Sequence, residues 1–205
     1  MAANATTITR DHERELVGRA KQGDREALRE LIDGHKERLY GFIFRMVRNS
    51  HDAEDICQDA FLKAFASLES FSTQYRFSTW LFTIGYRVCL NSLRRKKPVS
   101  SEFDFASLPD NGAAQRNDVL ESQDAARAKA MIWSAVDRLS PPQRATVLLF
   151  YKQEMGCHEI ARILQMPPAT VKSHLHRARG RLRELLEPLT ERSWEHFRNL
   201  VERAG

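Results

Sequence analysis

Residues 156–186, GCHEIARILQMPPATVKSHLHRARGRLRELL, set the fold of the back half of the chain. Ile160, Ala161, Ile163 and Leu164 form the inner side of a short helix, with Ala161 small where a second helix must approach. The stretch Gln165–Pro168 breaks that helix. Gln165 stands where such turns often have glycine, so a left-handed backbone there would cost about 1 kcal/mol. After the turn, Val171, Leu175, Ala178, Leu182 and Leu185 recur at +4, +3, +4 and +3, a stripe that must be buried. The other side presents Lys172, Ser173, His176 and Arg177, which can reach phosphates and base edges in a major groove. A basic amphipathic helix with merely solvated charges would share the pattern. The agreement of turn, small residue and phase favours a DNA-binding helix-turn-helix.

Working outward, Ser140-Pro141-Pro142-Gln143 is a capping box with proline at the first helical position. The back domain opens near Ala125 and is expected over 124–188. Upstream, 98–123 lacks periodicity and holds Pro98, Pro109, Asn111 and Gly112, as suits a linker. The front domain, 10–97, reads as four helices: roughly 11–21, 24–48, up to about Leu68, and 77–96. Its second helix carries Leu28, Leu31, Ile32, Leu39, Phe42, Ile43 and Met46 at helical spacing, and Asn49 and its neighbours form a turn with N-cap candidates. Residues 1–9 are left as a disordered N-terminus. The piece 189–205 follows Pro188, with Trp194, Phe197 and Val201 on one side, and either completes the back domain's core or docks on a partner. The fold class is all-α: two small helical domains joined by an irregular acidic linker.

At 205 residues and 42% apolar content the chain can bury a core. Mean hydropathy is −0.51. No run of 18 apolar residues occurs, and the first ten residues lack the order of a signal peptide, so a cytoplasmic location is expected. Net charge is +5, and its distribution is uneven. Residues 85–97 hold five basic groups and no acid, residues 168–183 five more and no acid, and residues 98–126 six acids against Arg116. The cysteines, Cys57, Cys89 and Cys157, lack metal-ligand or CxxC spacing, so neither zinc nor a disulfide is expected.

Two front segments carry candidate chemistry. In the third helix, Cys57, Phe61, Ala64 and Leu68 make one stripe, while Asp55, Asp59 and Leu62 lie about 200° away. An exposed leucine beside two acids suits a partner surface, and a solvated face with one stray leucine would look the same. Between the third and fourth helices, SFSTQYRFSTW (70–80) packs Phe71, Tyr75, Phe77 and Trp80 among small polar groups. Phe77 starts the stripe Phe77, Leu81, Ile84, Val88 and belongs to the core. The remaining rings could be core as well, or could hold unstacked bases, at about 1–3 kcal/mol per base.

These blocks resemble a known family, the extracytoplasmic-function sigma factors. Residues 156–186 are similar to region 4, AEDICQDAFLKAFASLESF (53–71) to region 2.2, and FSTWLFTIGYRVCLNSLRRKK (77–97) to regions 2.3 and 2.4. The three blocks lie in the family's order and spacing, and the resemblance covers about 10–188. It departs at Ala169, where glycine is frequent, at His174, where arginine is common, and at Cys157, at a usual Ser or Thr N-cap position. The resemblance implies a subunit that binds RNA polymerase core, recognises −35 and −10 promoter elements and promotes DNA melting. It implies that Asp55, Gln58, Asp59 and Leu62 dock on the clamp helices of the largest subunit, with region 4 on the flap of the second-largest. Thr170, Lys172, Ser173, His174, His176, Arg177 and Arg179 would meet the −35 element. Phe71, Ser72, Gln74, Tyr75, Arg76 and Trp80 would capture a flipped base of the −10 strand. Arg87 and Asn91 would touch the same element, and Arg94, Arg95, Lys96 and Lys97 its phosphates. The linker would thread into the polymerase's basic channels. An anti-sigma factor would clamp both domains, hide the Asp55/Asp59 face and tie the chain to an inducible stress regulon.

Two other function classes remain open on residues alone. A helix-turn-helix repressor or response-regulator output domain explains 124–188 but not the front blocks. An enzyme would need a motif such as GxxxxGK, HExxH or GxSxG, and none occurs. His158 beside Cys157 reads as a helix start rather than a metal site. No catalytic residue, metal or cofactor is expected.

Overall fold

The first three helix starts each carry a side chain that accepts free N–H groups of the first turn. Thr9 Oγ1 accepts from His12 N at 3.4 Å and opens α1 (Arg10–Lys21). Asp24 Oδ1 accepts from Glu26 N at 2.9 Å and Ala27 N at 3.2 Å and opens α2 (Arg25–Val47). Asn49 Oδ1 accepts from Asp52 N at 3.0 Å and opens α3 (Ser50–Ala66). Such caps are worth about 1 kcal/mol each. A 3-10 turn, Leu68–Ser70, precedes α4 (Phe77–Arg95). The back half holds α5 (Gln123–Asp137), α6 (Pro141–Val147) continued by a π-helical turn (Leu148–Lys152), α7 (Cys157–Leu164) and α8 (Pro168–Leu186). These elements come from a computed structural model that describes residues 9–95 and 123–186, with side chains from 129 onward in the second stretch. The acidic linker, Lys96, Lys97 and the tail stripe of Trp194, Phe197 and Val201 lie outside the described residues. Among the described residues there is no strand. The chain divides between Ser100 and Ser101 into two compact units.

In the front unit α2 packs on α1, α3 and α4, and α3 on α4. Leu31, Leu39, Phe42 and Ile43 of α2 are fully or almost fully buried, as are Phe77, Leu81 and Phe82 of α4. The α4 stripe differs from the expected one. Ile84 and Val88 are only half-buried, and the covered side runs through Phe82, Gly85 and Cys89. The cause is close approach: a Cβ at Gly85 would stand 2.9 Å from Leu39 Cδ1, so this turn of α4 sits directly on α2. Burial pushes the Cys57 thiol up to about 11 and the Cys89 thiol to about 12, so both behave as small apolar core residues.

In the back unit α8 packs against α5, α6 and α7. Ser140 N donates to Gln143 Oε1 at 3.3 Å, the capping interaction anticipated at the start of α6. Arg144 is buried, and its guanidinium donates to the carbonyls of Asp137 and Leu139, closing the end of α5 with a cation. Helix α7 is capped differently from expectation. Its N-cap is Gly156, whose N–H donates to Glu159 Oε2 at 3.2 Å, and Cys157 is already the first helical residue. Gln165 does adopt the left-handed conformation, with φ 55° and ψ 48°. The buried stripe of α8 is Val171, Leu175, Ala178, Leu182 and then Leu186, with Leu185 half-buried. A straight helix turns once per 3.6 residues, so a strict seven-residue seam drifts by about 20° per repeat and the last contact moves on by one.

Candidate functional site

On α8, Lys172, Ser173, His176 and Arg177 are exposed opposite the buried stripe. Ser173 Oγ donates back to Ala169 O at 3.0 Å, which spends its proton within the helix. Thr170 and His174 are half-buried. Burial, then the charge of Arg177, lowers the His174 pKa, and its Nδ1 is buried without a hydrogen-bond partner. Arg179 stands on the flank of α8 and is tied to its own unit. Its Nε donates to Tyr151 Oη at 2.7 Å, and its guanidinium lies 5.8 Å from the Phe150 ring centre and 5.7 Å from that of Tyr151. The π-helical turn supplies both rings, a partnership that no spacing in the sequence signals.

On α3, the side opposite Ala53, Cys57, Ala60 and Ala64 carries Asp55, Gln58, Asp59 and Leu62. Leu62 is 69% exposed, more than any other large apolar side chain among the described residues. Asp59 is ion-paired with Lys63 at 2.5 Å. The face thus offers an exposed leucine, the acid Asp55, and a second acid, Asp59, paired with Lys63.

The 70–80 segment divides its aromatic residues between two jobs. Phe71 and Phe77 are buried, and with half-buried Trp80 they form a cluster: Phe71–Trp80 at 4.9 Å, Phe77–Trp80 at 5.8 Å, and an edge-on Phe71–Phe77 pair at 5.9 Å. Phe71, expected among the DNA-facing residues, therefore presents no open ring face. Its side chain was drawn inward because it is the first apolar residue after the 3-10 turn. Ser72, Gln74, Tyr75 and Arg76 are exposed, with Tyr75 43% exposed. Along α4, Trp80, Arg87, Asn91 and Arg94 follow at +7, +4 and +3. They fall within roughly 60° of one another and extend over roughly 20 Å. Arg87, Asn91, Arg94 and Arg95 are all exposed.

Beneath the loop lie residues that sequence reasoning did not single out. Lys21 Nζ donates to Glu69 O at 3.1 Å and Phe71 O at 3.0 Å, and Arg10 Nη2 donates to Gln74 O at 3.2 Å. Glu13 and His35 are both buried, with Glu13 Oε1 3.2 Å from His35 Nε2. That contact lacks hydrogen-bond alignment, and Glu13 Oε2 and both His35 ring nitrogens have no hydrogen-bond partner. Among the described residues, no cluster of three His, Cys, Asp or Glu side chains could hold a metal ion, and no helix is long and apolar enough to cross a membrane.

The chain matches the family model Sigma-70 region 2 over residues 31–99 and the model Sigma-70, region 4 over residues 129–182. It is 31% identical over 180 residues to the ECF RNA polymerase sigma factor SigW of Bacillus subtilis, spanning 84% of this chain and 96% of SigW. It is 28% identical to the RNA polymerase sigma-H factor of Pseudomonas aeruginosa, over 89% of this chain and 97% of that one. Among solved structures, the sigma factor RpoE in complex with the anti-sigma factor NepR from Bartonella quintana superposes with TM-score 0.60 at 25% identity, over 79% of this chain and 98% of RpoE. CnrH, solved with the cytosolic domain of CnrY, shares the fold with TM-score 0.65 at 24% identity, over 87% of this chain and 99% of CnrH. With both halves matched in order, and with relatives aligned over nearly their whole length, the chain belongs to the extracytoplasmic-function family of RNA polymerase sigma factors.

Proposed function

We propose that the two units divide promoter recognition. The front unit, residues 10–97, holds core polymerase through the α3 face of Asp55, Gln58, Asp59 and Leu62. It captures a −10 base with the loop of Ser72, Gln74, Tyr75 and Arg76 over Trp80, and tracks the strand with Arg87, Asn91, Arg94 and Arg95. The back unit, residues 124–188, reads the −35 duplex with Lys172, Ser173, His176 and Arg177. Thr170 and His174 sit at the edge of that face, and Arg179 sets the helix against the aromatic turn. Phe71 serves the −10 site from below, as a plug under the loop. The observation that carries this reading is the line Trp80–Arg87–Asn91–Arg94. It leads from an aromatic loop onto a row of cations and an amide, with no acid among them, which is the composition a single strand requires.

Regulation by an anti-sigma factor follows the same reading. RpoE of Bartonella quintana was solved with such a partner, NepR. Here the partner would cover the Leu62 face and so compete with core polymerase. The chain would act in the cytoplasm, within an inducible stress regulon. Reconstitution tests the proposal. With core polymerase the chain should start transcripts at a discrete set of promoters sharing −35 and −10 elements. Duplex binding without any core-dependent initiation would instead make it a helix-turn-helix repressor.

A further inference from the structure

Helix α1 precedes the span matched by the Sigma-70 region 2 model, 31–99, and none of the roles above uses it. Its cations nevertheless hold both ends of the base-capturing loop. Lys21 reaches across 48 and 50 residues to the carbonyls of Glu69 and Phe71, where the 3-10 turn Leu68–Ser70 ends. Carbonyls at a helix end have no partner within the helix, so a cation placed there fixes the direction in which the chain leaves. Arg10 takes the carbonyl of Gln74, just before Tyr75. Lys21 is the stronger anchor, because it is half-buried and makes two bonds, whereas the single bond of Arg10 is exposed to water. Between these anchors Arg14 and Val17 face Thr73 and Tyr75 across a shallow cleft. The helix has its own footing: buried Glu13 lies 3.2 Å from His35 of α2, whose ring is 5.5 Å from Phe77. Within the loop, the backbone makes the turn contact Tyr75 N to Ser72 O at 3.2 Å.

We propose that α1 is a brace that presets the base-capturing loop, with Lys21 as its positioning residue. The proposal rests on the reading of the 71–76 loop as the element that captures a −10 base. A loop already held in its working shape binds an extruded base without first being ordered, so the brace contributes to affinity without touching DNA.

The test uses holoenzyme made with the full chain and non-template −10 oligonucleotides, intact or carrying one abasic site moved stepwise along the element. In wild type, one abasic position should weaken binding strongly. Lys21→Met keeps the aliphatic stem and removes the donors. It should cut that base-dependent ratio about tenfold, leave the affinity of the abasic oligonucleotide and of core polymerase unchanged, and be rescued by Lys21→Arg. Arg10→Met, at an exposed position, should cut the ratio about twofold and guards against a folding failure in the first variant. An unchanged ratio in both variants would overturn the brace. Equal weakening of intact and abasic oligonucleotides would also overturn it, since Lys21 would then act on phosphates. A wild type indifferent to every abasic site would remove the loop reading itself, and the brace with it.

Discussion

Helix α8 and the 71–76 loop, the two elements proposed to meet promoter DNA, stand on opposite kinds of support. Helix α8 is one continuous rod with a buried stripe from Val171 to Leu186, and its exposed groups repeat at helical spacing. The loop has no periodicity. Buried Phe71 and Phe77 bracket five exposed residues, and cations on a helix distant in sequence hold two of its carbonyls. The difference suits the two proposed targets. Base edges in a duplex come at regular intervals and suit regularly spaced side chains. An extruded base needs an apolar face and polar neighbours in one place, which regular spacing cannot supply.

Phe77→Ala should break the comparison most severely, because it removes the ring that joins loop to core. Phe77 is 1% exposed, and emptying such a site costs about 3–5 kcal/mol. The expected outcome is a large drop in the melting temperature of the front unit with no change in −35 duplex binding. Next in size, Asp55→Lys with Leu62→Ala should weaken association with core polymerase on the order of a hundredfold, measured by competition binding, while the melting temperature stays put. Asp59 is the poorer choice, because Lys63 already neutralises it.

Arg177→Ala should lower affinity for −35 duplex by about 1–3 kcal/mol if the guanidinium reads a base, measured by fluorescence anisotropy at fixed salt. Arg179→Ala sharpens the contrast within α8. Its effect should fall on the melting temperature of the back unit, since Arg179 is held by Tyr151. Smallest of all, Gln165→Gly should stabilise the back unit by up to about 1 kcal/mol, because the residue holds a left-handed backbone at φ 55°. An unchanged or lower melting temperature would mean that the glutamine side chain offsets that strain.

The contrast also explains what could be read from residues alone. Helix α8 was legible almost to its last turn because turn, small residue and apolar phase coincide, whereas the drift from Leu185 to Leu186 escaped. The α3 face was legible for the same reason. What escaped depends on contacts between distant segments. Lys21 and Arg10 look like ordinary surface cations, because their partners are backbone carbonyls that carry no sequence signal. Glu13 looks like a first-turn acid. His35 falls at +4 from Leu31 and −4 from Leu39, so its phase could have marked it as buried, but apolar counting passes over a histidine. The covered side of α4 was misjudged because Gly85, which has no side chain to count, lies at its centre.

The central claim is that α8 binds duplex while the loop opens it. Permanganate reactivity of −10 thymines, measured with saturating holoenzyme carrying Tyr75→Ala or Arg177→Ala, tests it most directly. The division predicts that Tyr75→Ala abolishes most of the reactivity at full −35 occupancy, and that Arg177→Ala regains wild-type reactivity once excess protein restores occupancy. Equal loss of opening in both variants at equal occupancy would contradict it.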